Sequence, residues 1–116
     1  MIKSITIAYR KPELTPEEFY RYWKEQHGPL CARLMPGLRK YVQNHFISAP
    51  GYQFEGDGMV EMWYDDLESF KKSWEFVRTP EGRELAIDGA KFCVMKPGSG
   101  LWLAEEHVIK DELSPK

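Results

Sequence analysis

The run His27-Gly28-Pro29-Leu30, directly after Phe19-Tyr20-Arg21-Tyr22-Trp23, carries the residues best suited to chemistry. An imidazole titrates near neutrality, and a positive charge at a helix C-terminus is favoured by the aligned peptide dipoles. Gly28 and Pro29 read as a helix break, because glycine closes a last turn in the left-handed conformation and proline cannot continue it. The pattern therefore predicts His27 at a helix end. It is either a general acid or base for an enolisable or phenolic substrate, or a plain C-terminal cap. Asn44 and His45 are the next candidates. Adjacent strand residues point to opposite faces, so only one of the two can enter a space between sheet and helices. Asn44 would donate to a substrate carbonyl or enolate. His45 shares a face with Tyr41 and Gln43, a polar stripe that orients a substrate or forms a seam in an interface.

Glu61 sits in an otherwise apolar strand. A covered face would raise its pKa and make it a base, whereas an open one would pair it with Lys40 or Lys3. Tyr9, Tyr22, Trp23 and Trp63 would line a pocket for an aromatic ligand, with core or interface packing as the alternative. Asp88, between Ile87 and Gly89 in the second helical region, could reach the pocket, with a solvated carboxylate as the commoner case. No His-x-x-x-His pair or other ligand spacing occurs, so no metal is expected. Gly98-Ser99-Gly100 is too short for a phosphate loop and precedes a strand. There is no Gly-x-Ser-x-Gly elbow.

The elements that must position these residues follow from periodicity. Residues 1–10 alternate as a strand, with Lys3, Ile5, Ile7 and Tyr9 opposite Ile2, Ser4, Thr6 and Ala8. Thr15-Pro16-Glu17-Glu18 starts a helix with a cap, a proline in the first turn and a glutamate three residues after the cap. Phe19, Tyr22, Trp23, Gln26 and Leu30 define its buried face, and a kink is expected at Pro29 with a further helical turn to Met35. Pro36-Gly37 is a turn. Leu38–Ser48 and Met59–Tyr64 read as strands around a polar loop. Asp65 or Asp66 caps a helix with Leu67, Phe70, Trp74 and Val77 inside. Thr79-Pro80-Glu81 opens another, and Leu101–Ile109 is a last strand. The order β-α-β-β-α-β is the ferredoxin-like α+β pattern, a four-stranded antiparallel sheet with helices on one face.

Residues 1–109 are expected as one domain, with 110–116 as a loose tail. The 116 residues are 42% hydrophobic and 14% aromatic, more aromatic than one small core needs, which points to a ligand pocket or a subunit interface. A net charge of −2 excludes the basic excess that nucleic-acid or membrane-surface partners require. No apolar run approaches the roughly 20 residues of a membrane span. The N-terminus lacks signal-peptide features, so a cytoplasmic protein with reduced Cys31 and Cys93 is expected. Both faces of the strands carry large side chains, including Phe46, Trp63, Tyr64 and Trp102. The expected remedy is a homodimer through the sheet face.

Several stretches together resemble the EthD-like proteins of the dimeric α/β-barrel superfamily. They are Leu14-Thr15-Pro16-Glu17-Glu18-Phe19, Tyr22-Trp23, His27-Gly28-Pro29-Leu30, Pro36-Gly37-Leu38 and Tyr41-Val42-Gln43-Asn44-His45. The match to the second half of the chain is looser. The resemblance implies a ferredoxin-like protomer, a dimer whose sheets form a barrel, and small-molecule chemistry without metal or organic cofactor. It favours the functional reading of His27. The superfamily includes polyketide cyclases, muconolactone isomerases, decarboxylases of aromatic precursors and accessory proteins of ether degradation. The expected function is thus a cofactor-independent lyase, isomerase or cyclase acting on a small aromatic or polyketide-like metabolite. The alternatives are a non-catalytic small-molecule binding or accessory protein for an oxygenase pathway, and a haem-linked or cofactor-free monooxygenase.

Overall fold

Thr15 shows how the chain sets its first helix. Its hydroxyl accepts from the Glu18 amide at 3.1 Å, and the Glu18 carboxylate accepts from the Thr15 amide at 2.8 Å. Two of the donors that a helix start leaves unpaired are thereby satisfied, and Pro16 has no amide to satisfy. A computed structural model describes residues 1–94 and 100–113. Its strands are β1 (Ile2–Ala8), β2 (Lys40–His45), β3 (Gly58–Tyr64) and β4 (Leu101–Ala104). Its helices are α1 (Pro16–Tyr22), α2 (Gly28–Leu34), α3 (Leu67–Val77) and α4 (Arg83–Gly89), with a π-helical segment, Trp23–His27, joining α1 to α2.

The sheet order is β2-β3-β1-β4 and every neighbouring pair is antiparallel. This is the expected ferredoxin-like α+β arrangement. Two apolar clusters fill the space under the helices. One gathers Cys31, Met35, Met62, Tyr64 and Leu85, and the other Phe19, Trp23 and Phe92. Both use the even-numbered side of β3, so Val60, Met62 and Tyr64 define the covered face. Met59, Glu61 and Trp63 define the open one.

The helix break expected at Gly28-Pro29 is absent. Gly28 is right-handed helical (φ −57°, ψ −53°), and its amide donates to the Trp23 carbonyl, one residue further back than in an α-helix. A π turn inserts one residue into the helical path. Because α2 restarts at Gly28, Pro29 falls in a first turn, where no amide is required. The buried positions are accordingly Phe19, Trp23, Gly28 and Cys31, while Gln26 is exposed and Leu30 only half-buried. Gly28 allows a close approach: a β-carbon there would lie 2.4 Å from Gln43 Nε2 and 3.0 Å from the Trp23 carbonyl oxygen, so a larger residue would displace the Gln43 amide.

Other boundaries are tighter than the sequence suggests. β4 stops at Ala104 because β1, which it pairs with, reaches only one residue beyond the Lys3↔Ala104 pair. β2 ends where the His45↔Gly58 pair closes its ladder, and the Phe46 amide turns to the Asp57 carbonyl at 3.2 Å. Asp66, not Asp65, caps α3 by accepting from the Ser69 amide at 2.8 Å. Thr79–Gly82 is a turn rather than the start of α4, held by the Gly82 amide on the Thr79 carbonyl at 3.1 Å. The loop expected at Lys96–Gly100 lies, apart from Gly100, outside the described residues.

Candidate functional site

The sequence-predicted residues fall into three separate places. His27 ends the π segment and meets Asp88 of α4, with Nδ1 at 2.9 Å from Asp88 Oδ2. The Tyr22 hydroxyl donates to the other oxygen, Asp88 Oδ1, and Lys91 Nζ lies 3.7 Å from that same oxygen. On the far side of the ring, His27 Nε2 is 3.3 Å from Cys31 Sγ. Phe92 packs on the imidazole at 4.9 Å and on Tyr22 at 5.3 Å between ring centroids. Three chain segments therefore converge on one carboxylate.

Asp88 is 9% exposed, which by itself favours the neutral acid. The hydrogen bonds from Tyr22 and His27, with the nearby charges of His27 and Lys91, outweigh burial and hold it below the usual carboxylate range. An ionised Asp88 accepts from Nδ1–H and fixes the imidazole with its lone pair on Nε2, the nitrogen that faces Cys31 Sγ. The Cys31 thiol is pushed up to about 12, chiefly by burial and then by the Asp88 charge, so it remains S–H. Gly89 lies against the Cε1–Nε2 edge of His27, since a β-carbon there would meet Cε1 at 3.6 Å, an ordinary contact. Beside this group lies a cleft of about 330 Å³ lined by Tyr22 and Phe92 and by the charged residues Glu18, Arg21, Glu25 and Lys91; it meets the His27 group through Tyr22 and Phe92, and His27 itself is not part of its lining.

The Tyr22 phenol is pushed up to about 12, first by its hydrogen bond to Asp88, then by burial and the Asp88 charge. A raised pKa means the bond stabilises fully below the ordinary value of 10.0, and that this stabilisation is lost as pH rises through about 12. The phenolate difference spectrum between the parent and Tyr22→Phe is expected to rise near 12, and near 10 when Asp88 is replaced by alanine. A Tyr22 that ionises near 10 in the parent would remove it from the Asp88 contact.

His45 is elsewhere. It faces the helices from β2, stacked on Trp23 at 4.9 Å and on Tyr20 at 4.7 Å, and its Nε2 lies 2.8 Å from Gln43 Oε1. Burial, followed by the Lys24 charge, lowers its pKa, so the neutral ring donates to Gln43. The Gln43 amide donates to the Trp23 carbonyl at 2.8 Å and to the Tyr41 hydroxyl at 3.2 Å, and Trp23 Nε1 donates to that hydroxyl at 3.1 Å. The opened π turn gives the Trp23 carbonyl room for this second donor.

Asn44 points to the open face and does not meet His27 or His45. Its side-chain amide donates to Glu61 Oε1 at 3.0 Å and to the Met59 carbonyl at 3.1 Å. Glu61 pairs with Lys3 at 2.7 Å, and this bond, despite opposing desolvation, holds its pKa below the usual range. Of the two expectations for Glu61, the ion pair is therefore realised and the raised base is not. Trp63 lies under the Lys3 and Lys40 ammonium groups at 5.1 and 4.6 Å. Tyr9 donates to Glu55 Oε1 at 3.0 Å.

Asp88 is the residue that sequence reasoning ranked too low, favouring a solvated carboxylate over one that reaches the pocket. The available signal was its spacing: Leu85, Asp88 and Phe92 form one buried stripe, and a carboxylate there has to find partners. Both cysteines are free, Cys31 buried and Cys93 half-buried. Among the described residues no group of three or more acidic, histidine or cysteine side chains is placed to hold a metal, and no helix is long and apolar enough to cross a membrane.

An antiparallel sheet in this strand order with helices on one face defines the ferredoxin-like class of α+β proteins. The EthD domain model matches residues 11–95, and the chain belongs to the EthD family. It is similar to an EthD family protein from Bacillus halodurans at 29% identity, covering 92% of this chain and 99% of that one, with a TM-score of 0.63. A dimeric protein of ferredoxin-like fold from Bacteroides fragilis matches at 14% identity, over 90% and 95% of the two chains, with a TM-score of 0.59. SnoaB from Streptomyces nogalater, described as a cofactor-independent oxygenase, matches at 12% identity over 95% and 97%, also with a TM-score of 0.59. No curated protein matches the chain.

Proposed function

We propose that the chain is a cofactor-independent enzyme that moves a proton on a small aromatic or polyketide-like compound, in a lyase, isomerase or cyclase reaction. The observation that carries this is the Tyr22–Asp88–His27 chain of hydrogen bonds. His27 takes a proton from carbon beside a carbonyl at Nε2, where the weakly donating Cys31 thiol gives way to the substrate, and returns it from there. Asp88 holds the ring and balances the imidazolium, and Tyr22 holds Asp88. The substrate enters by the cleft of Tyr22 and Phe92, whose rim carries Arg21 and Lys91, able to meet an enolate oxygen, as well as Glu18 and Glu25. The described cofactor independence of SnoaB fits this reading without assigning a reaction to this chain. The test is deuterium exchange into tetralone, a flat enolisable aryl ketone, in heavy water. Acceleration over buffer that His27→Ala abolishes is expected. No acceleration, or acceleration that survives the substitution, leaves a non-catalytic binding role in its place.

The same reading places a second copy over the open face of the sheet. Leu101, Trp102 and Leu103 of β4 are 41%, 53% and 46% exposed, an apolar edge that a monomer leaves in water. The Bacteroides fragilis relative of like fold is dimeric. Sedimentation equilibrium is expected to give twice the chain mass of 13.6 kDa, and the single-chain mass for Trp102→Glu. A parent chain that sediments as a monomer at micromolar concentration defeats this part.

A further inference from the structure

A second cleft, of about 450 Å³, opens on the other side of the same helix, lined by Lys24, Gly28, Pro29, Ala32, Tyr41 and Gln43. Its hydrogen-bonding capacity is nearly used up, and what remains is of one kind. Both amide hydrogens of Gln43 are spent, one on the Trp23 carbonyl and one on the Tyr41 oxygen. The Gln43 carbonyl faces His45. The Tyr41 oxygen accepts two bonds, from Trp23 Nε1 and from Gln43, which leaves its own proton as its one free function. The Gly28 amide is taken by the Trp23 carbonyl, and Pro29 has none. At the rim, Lys24 has no ion-pair partner among the described residues. The cleft thus offers a phenolic O–H and an ammonium group, both donors, beside the apolar surface of Pro29 and Ala32.

We propose that this cleft binds a flat, carboxylate-bearing small molecule, whose anionic oxygen accepts from the Tyr41 hydroxyl and pairs with Lys24 while its ring lies on Pro29 and Ala32. An acceptor-only anion is the complement of these two free donors. Burial pushes the Tyr41 phenol up and keeps the proton to be donated in place. The two bonds that the phenol accepts also polarise its O–H. The site is independent of the His27 reading, because its residues lie on the opposite side of the helix and none of them touches Asp88.

Benzoate is the probe, titrated into the labelled chain and followed by amide nitrogen–proton correlation spectra. Saturable shifts are expected at residues 24–32 and 41–43. Tyr41→Phe is expected to weaken binding about tenfold, and Lys24→Gln several-fold with loss of salt dependence, the scale of a charge-assisted hydrogen bond and a screened ion pair. Benzyl alcohol, the neutral counterpart, is expected to bind at least tenfold more weakly than benzoate, for the same reason. Tyr41→Phe also removes the acceptor of two buried donors. If that variant does not fold, Lys24→Gln and the benzyl alcohol comparison decide. Absence of saturable shifts, shifts confined to Tyr22, Lys91 and Phe92, or benzoate affinity unchanged by the folded variants overturns the proposal.

Discussion

Replacing Asp88 with asparagine is expected to lower proton-transfer turnover by about 10²- to 10⁴-fold, the range that a well-placed general acid or base contributes. The substitution preserves shape and changes only what the carboxamide offers the ring. An ionised Asp88 accepts from Nδ1–H, which leaves the lone pair of His27 on Nε2. An asparagine oriented to accept from the Tyr22 hydroxyl turns its NH₂ group towards Nδ1 and favours the opposite tautomer. The base is then masked although the ring has not moved. KM is expected to change little, because Asp88 is covered by His27, Tyr22 and Lys91 and lies behind the ring rather than along the cleft. His27→Ala should lose at least as much, and the double variant no more than the worse of the two, since the pair acts as one unit. Steady-state kinetics on the substrate identified by deuterium exchange makes the comparison, with circular dichroism to confirm the fold. Parent-level kcat in Asp88→Asn would reduce the Tyr22–Asp88–His27 chain to a clamp between helices.

The second large effect is on stability. Phe92 is 1% exposed, lies 5.4 Å from Phe19 between ring centroids and supports both Tyr22 and His27 from beneath. It follows α4 in a short turn whose backbone is tied to β1's extension, with the Lys11 amide donating to the Phe92 carbonyl at 2.9 Å. Phe92→Ala removes the ring from a cluster of only three fully buried side chains and is expected to cost about 3–5 kcal/mol. For a domain of this size that lowers the thermal midpoint by more than about 10 °C. Phe92→Leu, which refills most of the volume, is expected to lose about a third of that. The contrast separates packing from chemistry. Where Phe92→Leu folds, its activity reports how far the imidazole depends on a flat support. Urea unfolding of both variants provides the free energies, and a loss below about 1 kcal/mol for Phe92→Ala would show that the cluster is not a core.

The element order was legible because its signals are local. The Thr15-Pro16-Glu18 cap, the alternation in β1 and β3 and the Pro36-Gly37 turn each announce themselves within a few residues, and Gly37 does take a positive φ of 76°. The site was legible in part. His27 was found through Gly28 and Pro29, which mark a widened turn instead of an end. Asn44 and His45 could not be sorted from sequence, because alternation shows that they part company but not which face the helices cover. That depends on Trp23 and Tyr20 stacking on His45, contacts between residues far apart in the chain. Asp88 was read as solvated in preference to pocket-facing for a related reason. A carboxylate on a short helix ordinarily faces water, and its partners, Tyr22 and His27, lie more than sixty residues earlier.

The widened turn also separates two routes by which this protein can change. The buried positions Phe19 and Trp23 are followed by Gly28, Cys31 and Met35, so the step from Trp23 to Gly28 is one residue longer than an α-helix needs. Loss of a single codon among Lys24, Glu25 and Gln26 would restore an even helical rhythm and leave the apolar positions in phase. It would also close the carbonyl that Gln43 occupies and turn His27 to another bearing. The scaffold thus survives this change of length, whereas the chemistry does not. Within the family, an alignment gap inside this helix would mark a branch that keeps the sheet and gives up the site.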